Sequence, residues 1–310
     1  MREHYDVIII GGGPAGLTAA LYAARARLNT LVLERLVIGG QVATTTLVEN
    51  YPGFPEGIDG PEMMRLFEEQ ARRFGAEVEF DPALSLTLDG DRRIVTTEGG
   101  RALPSWTIIL AMGSDPRRLN VPGEKEFANR GVSYCATCDG ALFPEADVAV
   151  VGGGDSAAEE AQFLTRFAKK VYIIHRRDRL RAQKILQERL FANPKIEIIW
   201  DAVVQEIKGD EVLRHLMIKN LKDGSIRELP VEGLFVAIGH EPNSQLVKGL
   251  LELDPMGYII ANERMGTSLP GIFVAGDVRS GSTRQIATAV GDGSIAAMSA
   301  EKYLTEKGLA

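Results

Sequence analysis

Two glycine-rich turns of the same design constrain the fold of this 310-residue sequence more than any other feature. The first, Gly11-Gly12-Gly13-Pro14-Ala15-Gly16, follows the apolar run 5–10 and precedes an alanine-rich segment with helical periodicity. The second begins at Gly152, which is 152 − 11 = 141 residues later, after the apolar run 146–151. A strand, a G-x-G-x-x-G/A turn and a helix in this order bind the pyrophosphate of a dinucleotide. A repeat at domain spacing therefore predicts two dinucleotide-binding domains in one chain.

The two copies differ where the second strand of each unit ends. In the first copy Glu34 lies 34 − 11 = 23 residues after the first glycine, where an acid commonly holds the ribose hydroxyls. In the second copy His175 has the same offset, 175 − 152 = 23, and is followed by Arg176, Arg177 and then Arg181. A carboxylate repels a 2′-phosphate, whereas guanidinium groups bind it. The first turn therefore suits FAD or NAD, and the second suits NADPH.

The only two cysteines of the chain lie together in Cys135-Ala136-Thr137-Cys138-Asp139. Two thiols at this spacing can close a small disulfide ring, which is a two-electron redox couple. A structural disulfide or half of a zinc site is the alternative, but no nearby cysteine or histidine supplies the two further ligands that zinc needs. From another class of function, the chain could be a non-catalytic module that responds to NADP(H) binding.

Composition excludes several other classes. Hydrophobic residues make up 45% of the chain and the formal net charge is −7, so binding of nucleic acid through overall charge is not expected. Two cysteines in a chain of this length are not the disulfide framework of a small secreted domain. The N-terminal apolar run is too short for a signal peptide, and no run reaches the ~18 residues that span a bilayer. We therefore expect a soluble, cytoplasmic protein.

The remaining pattern indicates how the domains are divided. Helical periodicity covers 61–74, alternation over 76–109 predicts a small antiparallel excursion, and 257–262 is typical of a strand. A buried strand over 271–278 places Asp277 at a carboxyl end, and a closing helix begins near Arg284. We expect this last segment to complete the first domain, with boundaries at 1–115, 116–243 and 244–310.

With both glycine turns, Cys-Ala-Thr-Cys-Asp, His-Arg-Arg-x-x-x-Arg and the late Gly276-Asp277 in this order, the sequence resembles the low-molecular-weight thioredoxin reductases over its whole length. These are class II pyridine nucleotide-disulfide oxidoreductases. The resemblance implies an α/β fold of two Rossmann-like three-layer domains, the second inserted into the first. Residues 1–115 and 244–310 would bind FAD, and residues 116–243 would bind NADPH and carry the redox disulfide. Family members are homodimers.

The resemblance also implies a thioredoxin-disulfide reductase activity. Hydride would pass from NADPH to FAD and then to the Cys135–Cys138 disulfide, and the dithiol would exchange with oxidised thioredoxin. Cys138 would face the flavin, Cys135 would attack the substrate disulfide, and Asp139 would be the general acid. A reductase of another small dithiol protein, such as a glutaredoxin-like one, is the alternative on the same scaffold. Glutathione reductases differ in carrying their cysteines in the first domain, and ferredoxin–NADP reductases lack the cysteines.

The implied ligand residues fall into two sets, and no metal site is expected. The FAD set is Gly11, Gly13, Pro14, Ala15, Gly16, Glu34, Gly40, Gln41, Thr44, Asn50, Gly113, Asp277, Arg284, Gln285 and Ile286. The NADPH set is Gly152, Gly154, Asp155, Ser156, Glu159, His175, Arg176, Arg177, Arg181, Ile238 and Gly239. The chain departs from close relatives after Cys-Asp-Gly, where it has Ala141-Leu142-Phe143 in place of an immediate bulky aromatic residue. Candidate thioredoxin-docking residues are Arg72, Arg73, Phe80 and Arg130.

Overall fold

The computed structural model describes residues 4–45 and 47–309. The chain forms two compact units, one of Met1–Asp115 with Glu241–Ala310 (unit 1) and one of Pro116–His240 (unit 2), so unit 2 is inserted into unit 1. The strands in chain order are β1 (Tyr5–Ile10), β2 (Thr30–Glu34), β3 (Glu77–Phe80), β4 (Ala83–Asp89), β5 (Arg92–Thr97), β6 (Ala102–Leu110), β7 (Ser114–Pro116), β8 (Val132–Ser133), β9 (Asp147–Gly152), β10 (Lys170–Ile174), β11 (Ile196–Ile199), β12 (Ala202–Gly209), β13 (Leu213–Asn220), β14 (Ile226–Pro230), β15 (Gly233–Ala237), β16 (His240–Pro242) and β17 (Ile272–Val274). The helices are α1 (Pro14–Arg25), α2 (Gly60–Arg73), α3 (Ala136–Asp139), α4 (Asp155–Leu164), α5 (Lys184–Ala192) and α6 (Ile286–Glu306).

Unit 1 is built on a seven-stranded sheet of order β3-β2-β1-β6-β5-β4, with β17 on β6. The strands β1, β2 and β3 pair in parallel with their neighbours, as do β1 with β6 and β6 with β17. The predicted antiparallel excursion is confirmed for β4, β5 and the start of β6. The prediction was wrong for β3, which joins the parallel part by pairing with β2, because the chain returns from α2 along the same direction.

Helices α1 and α6 cover one face of this sheet. Their contact surfaces are alanine-rich, and Ala19, Ala20, Ala296 and Ala300 are fully buried in a single core cluster. Small side chains let the two helix backbones approach closely, and at the tightest point a Cβ on Gly293 would lie 3.0 Å from the Ala15 carbonyl carbon. The C-terminal helix thus completes the core that the N-terminal βαβ unit begins.

Unit 2 repeats the arrangement on a smaller scale. A five-stranded parallel sheet of order β11-β10-β9-β15-β8 is joined by a three-stranded antiparallel sheet, β12-β13-β14. The apolar strand β9 is buried on both faces, as expected for the centre of a parallel sheet. Both units therefore have the Rossmann-like α/β architecture that the repeated turn predicts. Within the described residues, no helix has the length and apolar character needed to cross a bilayer.

Two predicted strands are shorter or absent. The segment 257–262 forms only isolated bridges, such as Leu253 with Ile259, because a tight turn interrupts it. In that turn the Asp254 carboxylate accepts the backbone N–H groups of Met256 and Tyr258. The strand predicted over 271–278 ends at Val274, since Gly276 has a φ of +74° and begins a 3₁₀ turn. The predicted helix 61–74 is confirmed as α2, whose first turn is capped by the Asp59 carboxylate.

Candidate active site

The predicted FAD residues of unit 1 gather at one edge of its sheet. Ile10 pairs with Leu33 on one side and with Leu110 on the other, and Leu110 pairs with Val274. The residues that follow these four positions are therefore level with one another, at the carboxyl ends of parallel strands. Ligands of open α/β sheets bind at this edge. The glycine turn, Glu34, the segment leading to Gly113 and the Gly276-Asp277 turn all begin there.

The first glycine turn has the geometry of a pyrophosphate site. Gly11 has a φ of +108°, and a Cβ there would lie 2.7 Å from the Ala111 carbonyl carbon, so no other residue fits. Gly13 caps α1 without any side-chain hydrogen bond, which leaves the first N–H groups of the helix for a ligand. Glu34 lies beside the turn, where its Oε2 accepts the Gly12 N–H at 2.7 Å. The carboxylate therefore has the position that ribose binding requires.

A second glycine pair is held against this turn. The Gly39 N–H donates to Gly12 O at 2.8 Å, and a Cβ on Gly40 would have only Gly13 Cα nearby, at 3.7 Å. The following 3₁₀ turn, Gly40–Thr44, is closed by the Thr44 hydroxyl, which donates to Gln41 O. Gln41 Nε2 donates to Asp115, and Asn50 Nδ2 donates to Gln285 Oε1 at 3.2 Å. The structure thus connects the predicted loop residues to the start of α6, where Arg284 and Ile286 flank Gln285.

Asp277 lies in the 3₁₀ turn after β17, and its Oδ1 accepts the Ser282 hydroxyl. Burial raises the pKa of the Asp277 carboxyl, while the Ser282 hydrogen bond opposes that rise. Asp292, on α6, was missed by the sequence analysis. Its buried carboxylate accepts the Gly276 N–H and pairs with Arg279, so it fixes the turn that presents Asp277. The signal for it was an acid between Gly291 and Gly293 in an otherwise small-residue helix.

The second glycine turn, in unit 2, has an equally open cradle. Gly152 is enclosed by β15 and α4, because a Cβ there would lie 2.5 Å from Ala237 O and 2.6 Å from the Ala157 Cβ. Gly154 caps α4 without a side-chain bond, and no atom lies within 4 Å of the position that a Cβ would take. Backbone N–H groups at this end of α4 are thus accessible to a pyrophosphate. Ser156 and Glu159 lie on the first turns of the same helix, and Ile238 and Gly239 follow β15.

The arginine loop after β10 folds back over this turn. The Arg181 N–H donates to Gly153 O at 2.7 Å, and the Asp155 carboxylate accepts the Gln183 N–H at 2.7 Å. The guanidinium groups of Arg176, Arg177 and Arg181 are exposed, and none of them pairs with a carboxylate of the described residues. The charges of these three arginines are therefore available to an anionic ligand such as a phosphate.

His175 has a different place from the arginines. Its side chain is buried, with Nδ1 2.8 Å from Gly152 O and Nε2 3.0 Å from Arg179 O. The ring therefore joins the glycine turn to the arginine loop, and its two nitrogens face protein carbonyl groups. Among the predicted NADPH residues it is the one whose side chain lies inside the fold.

The two cysteines form a disulfide with a Cα–Cα distance of 5.3 Å. Cys135 is the N-cap residue of the four-residue helix α3, and Cys138 lies within that helix. The N–H groups of Cys138 and Asp139 both donate to Cys135 O. The Thr137 hydroxyl lies 3.4 Å from Cys135 Sγ. In this disulfide neither sulfur is a thiolate, which is the form of cysteine that binds metal ions. Within residues 4–45 and 47–309, no group of three or more potential ligands is arranged to hold a metal ion.

Asp139 is tied to the same loop. Its Oδ2 accepts the Ser133 hydroxyl at 2.5 Å. Burial raises the pKa of the Asp139 carboxyl above its ordinary value, and the Ser133 hydrogen bond acts in the opposite direction. A carboxyl group that stays protonated at higher pH is better suited to donate a proton.

The comparisons with known proteins agree with this geometry. A family model described as pyridine nucleotide-disulphide oxidoreductase matches residues 5–293. A thioredoxin reductase of Streptomyces coelicolor is 51% identical over 306 residues, 98% of this chain and 95% of that protein. A bifunctional thioredoxin reductase/thioredoxin of Mycobacterium leprae is 50% identical over 303 residues, 97% of this chain and 66% of that protein. The crystal structure of a thioredoxin reductase from Streptococcus pyogenes has a TM-score of 0.94 and 47% identity, covering 99% of this chain and 100% of that one. The chain therefore belongs to the pyridine nucleotide-disulphide oxidoreductase family and, within it, to the thioredoxin reductases.

Proposed function

We propose that the protein is a cytoplasmic, homodimeric thioredoxin-disulfide reductase that uses NADPH and FAD. One observation carries the proposal: a disulfide lies in a chain with two nucleotide turns of opposite charge. The turn in unit 1 presents Glu34, and the turn in unit 2 presents three unpaired arginines. FAD, when bound, accepts reducing equivalents from NADPH and passes them to the disulfide.

Residues of the chain have distinct parts in this reaction. Glu34 binds the ribose hydroxyls of FAD, and Arg176, Arg177 and Arg181 bind the 2′-phosphate that distinguishes NADPH from NADH. Cys138 is the sulfur that receives reducing equivalents, and Cys135 attacks the substrate disulfide as a thiolate. Asp139 donates a proton to the leaving sulfur, for which its raised pKa suits it.

The substrate is a small dithiol protein, and thioredoxin is the one we propose. The M. leprae relative is named as a bifunctional protein, with a thioredoxin reductase and a thioredoxin in one chain. A glutaredoxin-like protein remains the second candidate, since the same exchange chemistry would reduce it.

The docking surface near the disulfide has an apolar component. Leu142 is 52% exposed three residues after Asp139, whereas Phe143 packs edge-on against the buried Phe235. Of the other candidate docking residues, Phe80 in unit 1 is 62% exposed at the end of β3, and Arg130 in unit 2 is exposed within that unit. The Arg72 guanidinium already has partners within the fold, because it pairs with Glu68 and donates to Val78 O. The Arg73 guanidinium lies over the Phe74 ring. We propose that Leu142 contacts the substrate protein, in the place of the aromatic residue that relatives have after Cys-Asp-Gly.

The purified holoprotein should be yellow, and its flavin absorbance should bleach on anaerobic addition of NADPH. Subsequent addition of oxidised thioredoxin should restore the absorbance, because the dithiol then passes its electrons on. Oxidised glutaredoxin added in a parallel sample separates the two candidate substrates. A colourless protein, or one that bleaches and stays bleached with every disulfide protein, would contradict the proposed function.

Gel filtration with light scattering, applied to the cytoplasmic fraction of producing cells, tests both the oligomeric state and the location. We expect the NADPH-dependent activity to elute with twice the mass of one chain. Exposed apolar side chains on the two packed helices of unit 1, among them Tyr22, Ile295 and Met298, are available to such a contact. Elution at the mass of one chain would remove the homodimer from the proposal, and activity found only outside the cytoplasmic fraction would remove the location.

A further inference from the structure

The Ser133 hydroxyl makes hydrogen-bond contacts that no part of the proposed mechanism uses: one with Asp139, one with the Cys135 N–H and a longer one, at 3.4 Å, with Cys135 O. Ser133 lies at the end of β8, two residues before Cys135, and its side chain is 5% exposed. Its hydroxyl donates to Asp139 Oδ2 at 2.5 Å. The same oxygen accepts the Cys135 N–H at 3.1 Å. One buried hydroxyl therefore touches both the carboxyl group and the backbone of the cysteine that attacks substrate.

We propose that Ser133 is a positioning residue for thiol–disulfide exchange, which holds the Asp139 carboxyl on the redox loop and stabilises the carboxylate left after proton donation. This inference rests on the proposed function. It adds a residue outside the Cys-Ala-Thr-Cys-Asp motif to the groups on which the exchange step depends.

The exchange step shows why a donor is needed at this place. The Cys135 thiolate attacks one sulfur of the partner disulfide, so a new S–S bond forms and the old one breaks. The leaving thiolate takes the proton of Asp139, which gives a thiol on the partner and a carboxylate on the enzyme. No further oxidant or reductant takes part. A carboxylate in a largely buried position is unfavourable unless a donor is bound to it, and the Ser133 O–H is that donor.

Among the described residues, few groups other than the Ser133 hydroxyl could stabilise a carboxylate at Asp139. The causes that shift its pKa are burial, which raises it, and the Ser133 hydroxyl, which lowers it. Helix α3, which carries Asp139, packs against α4, whose charged residues are Asp155, Glu159 and Glu160. All three are acids, so none can take over the stabilisation of a carboxylate. Loss of the Ser133 hydroxyl would therefore raise the pKa of Asp139 further. The carboxyl group would then stay protonated to higher pH, but it would be a weaker acid toward the leaving thiolate.

A double-mutant cycle in the FAD-loaded full chain tests this dependence. Ser133→Ala should lower kcat for thioredoxin reduction about tenfold, the effect of one hydrogen bond to a charged group. In the Asp139→Ala background the same substitution should change kcat less than twofold, because the group it acts on has gone. Equal losses in both backgrounds would overturn the inference. A wild-type chain that fails to reduce thioredoxin would instead contradict the proposed function.

The pH dependence of kcat gives a readout that a purely structural role would not move. Activity that requires protonated Asp139 falls as pH rises through its pKa, so Ser133→Ala should shift this alkaline limb upward by about one unit. An isosteric pair, Ser133→Thr and Ser133→Val, keeps the test valid if the alanine variant is unstable. In the threonine variant the alkaline limb of the kcat–pH profile should stay at its wild-type pH. In the valine variant it should move upward as in the alanine variant. A limb that stays in place in both alanine and valine variants would overturn the inference.

Ser105→Ala is the matched control. Ser105 is a buried serine of β6 whose hydroxyl donates to Thr107 O, in unit 1. The Ser105→Ala variant should have the same melting temperature as Ser133→Ala. The alkaline limb of its kcat–pH profile should stay where it is in the wild type. NADPH-dependent ferricyanide reduction reports that the cofactor sites of each variant are intact. A limb shift in Ser105→Ala equal to that in Ser133→Ala would assign the effect to general destabilisation and overturn the inference.

Discussion

Cys138→Ser should leave NADPH-dependent bleaching of the flavin intact and should abolish thioredoxin reduction. The substitution removes one sulfur of the only disulfide but changes neither glycine turn nor the arginine loop. Electrons can therefore reach the flavin, yet they have no disulfide to enter. Anaerobic titration with NADPH measures the first step, and a coupled insulin-reduction assay with thioredoxin measures the second. We expect loss of at least about a thousandfold in the second assay, since removing a nucleophile that acts with a partner costs this order of magnitude.

Cys135→Ser is the informative comparison. It also abolishes turnover, because no thiolate remains to attack the substrate, but it leaves a free Cys138 thiol beside the flavin if our assignment of the two sulfurs is correct. A long-wavelength absorbance band on deprotonation of that thiol should then appear in Cys135→Ser and be absent in Cys138→Ser. The reverse pattern would exchange the two roles. Loss of NADPH bleaching in Cys138→Ser would contradict the assignment of separate steps.

Replacing Arg176, Arg177 and Arg181 together by glutamine should raise the KM for NADPH by at least about a hundredfold and change that for NADH less than threefold. Each arginine is exposed and unpaired among the described residues, so its charge is available to the 2′-phosphate that NADH lacks. A hydrogen bond to a charged group contributes about 1.5–3 kcal/mol, of which exposure at the surface removes a part. Glutamine keeps most of the side-chain length and removes the charge.

Arg179→Gln is the matched control, because Arg179 is in the same loop and its side chain is exposed. Its contact with the fold is through the backbone, where its carbonyl oxygen faces His175 Nε2. The KM for both nucleotides should therefore stay near the wild-type values. Steady-state measurements with each nucleotide at saturating thioredoxin give the comparison. Equal increases for NADPH and NADH in the triple variant would show that the loop holds some other part of the nucleotide.

The sequence predicted the parts of the site that depend on local pattern. A glycine turn between a strand and a helix is readable from adjacent residues. The replacement of the acid Glu34 by the basic run that begins at His175 is readable from equal offsets in a repeat. The disulfide followed from the presence of a single pair of cysteines, and the structure confirms it. In each case the interacting groups are close in the chain or are related by the repeat.

The residues that the sequence did not reveal act across the fold or through a buried contact. Asp292 reaches Gly276 from another element, and no spacing rule links the two. Ser133 is one of many serines, and only the structure shows that its hydroxyl is bound to Asp139. For His175, which the sequence did single out, the contacts of its ring with Gly152 O and Arg179 O are visible only in the structure. The parallel pairing of β3 likewise depends on the path of α2 and not on the alternation of its residues.

The insertion of one unit into the other sets an order on synthesis of the chain. The strand β17 and helix α6 are translated after unit 2, and they supply a partner for β6 and the surface against which α1 packs. Before α6 is made, the alanine-rich face of α1 lacks the helix against which it packs, although the whole of Pro116–His240 has already been translated. Domains generally fold as units during synthesis. The core that the N-terminal βαβ unit begins is thus completed only after the inserted unit has been translated.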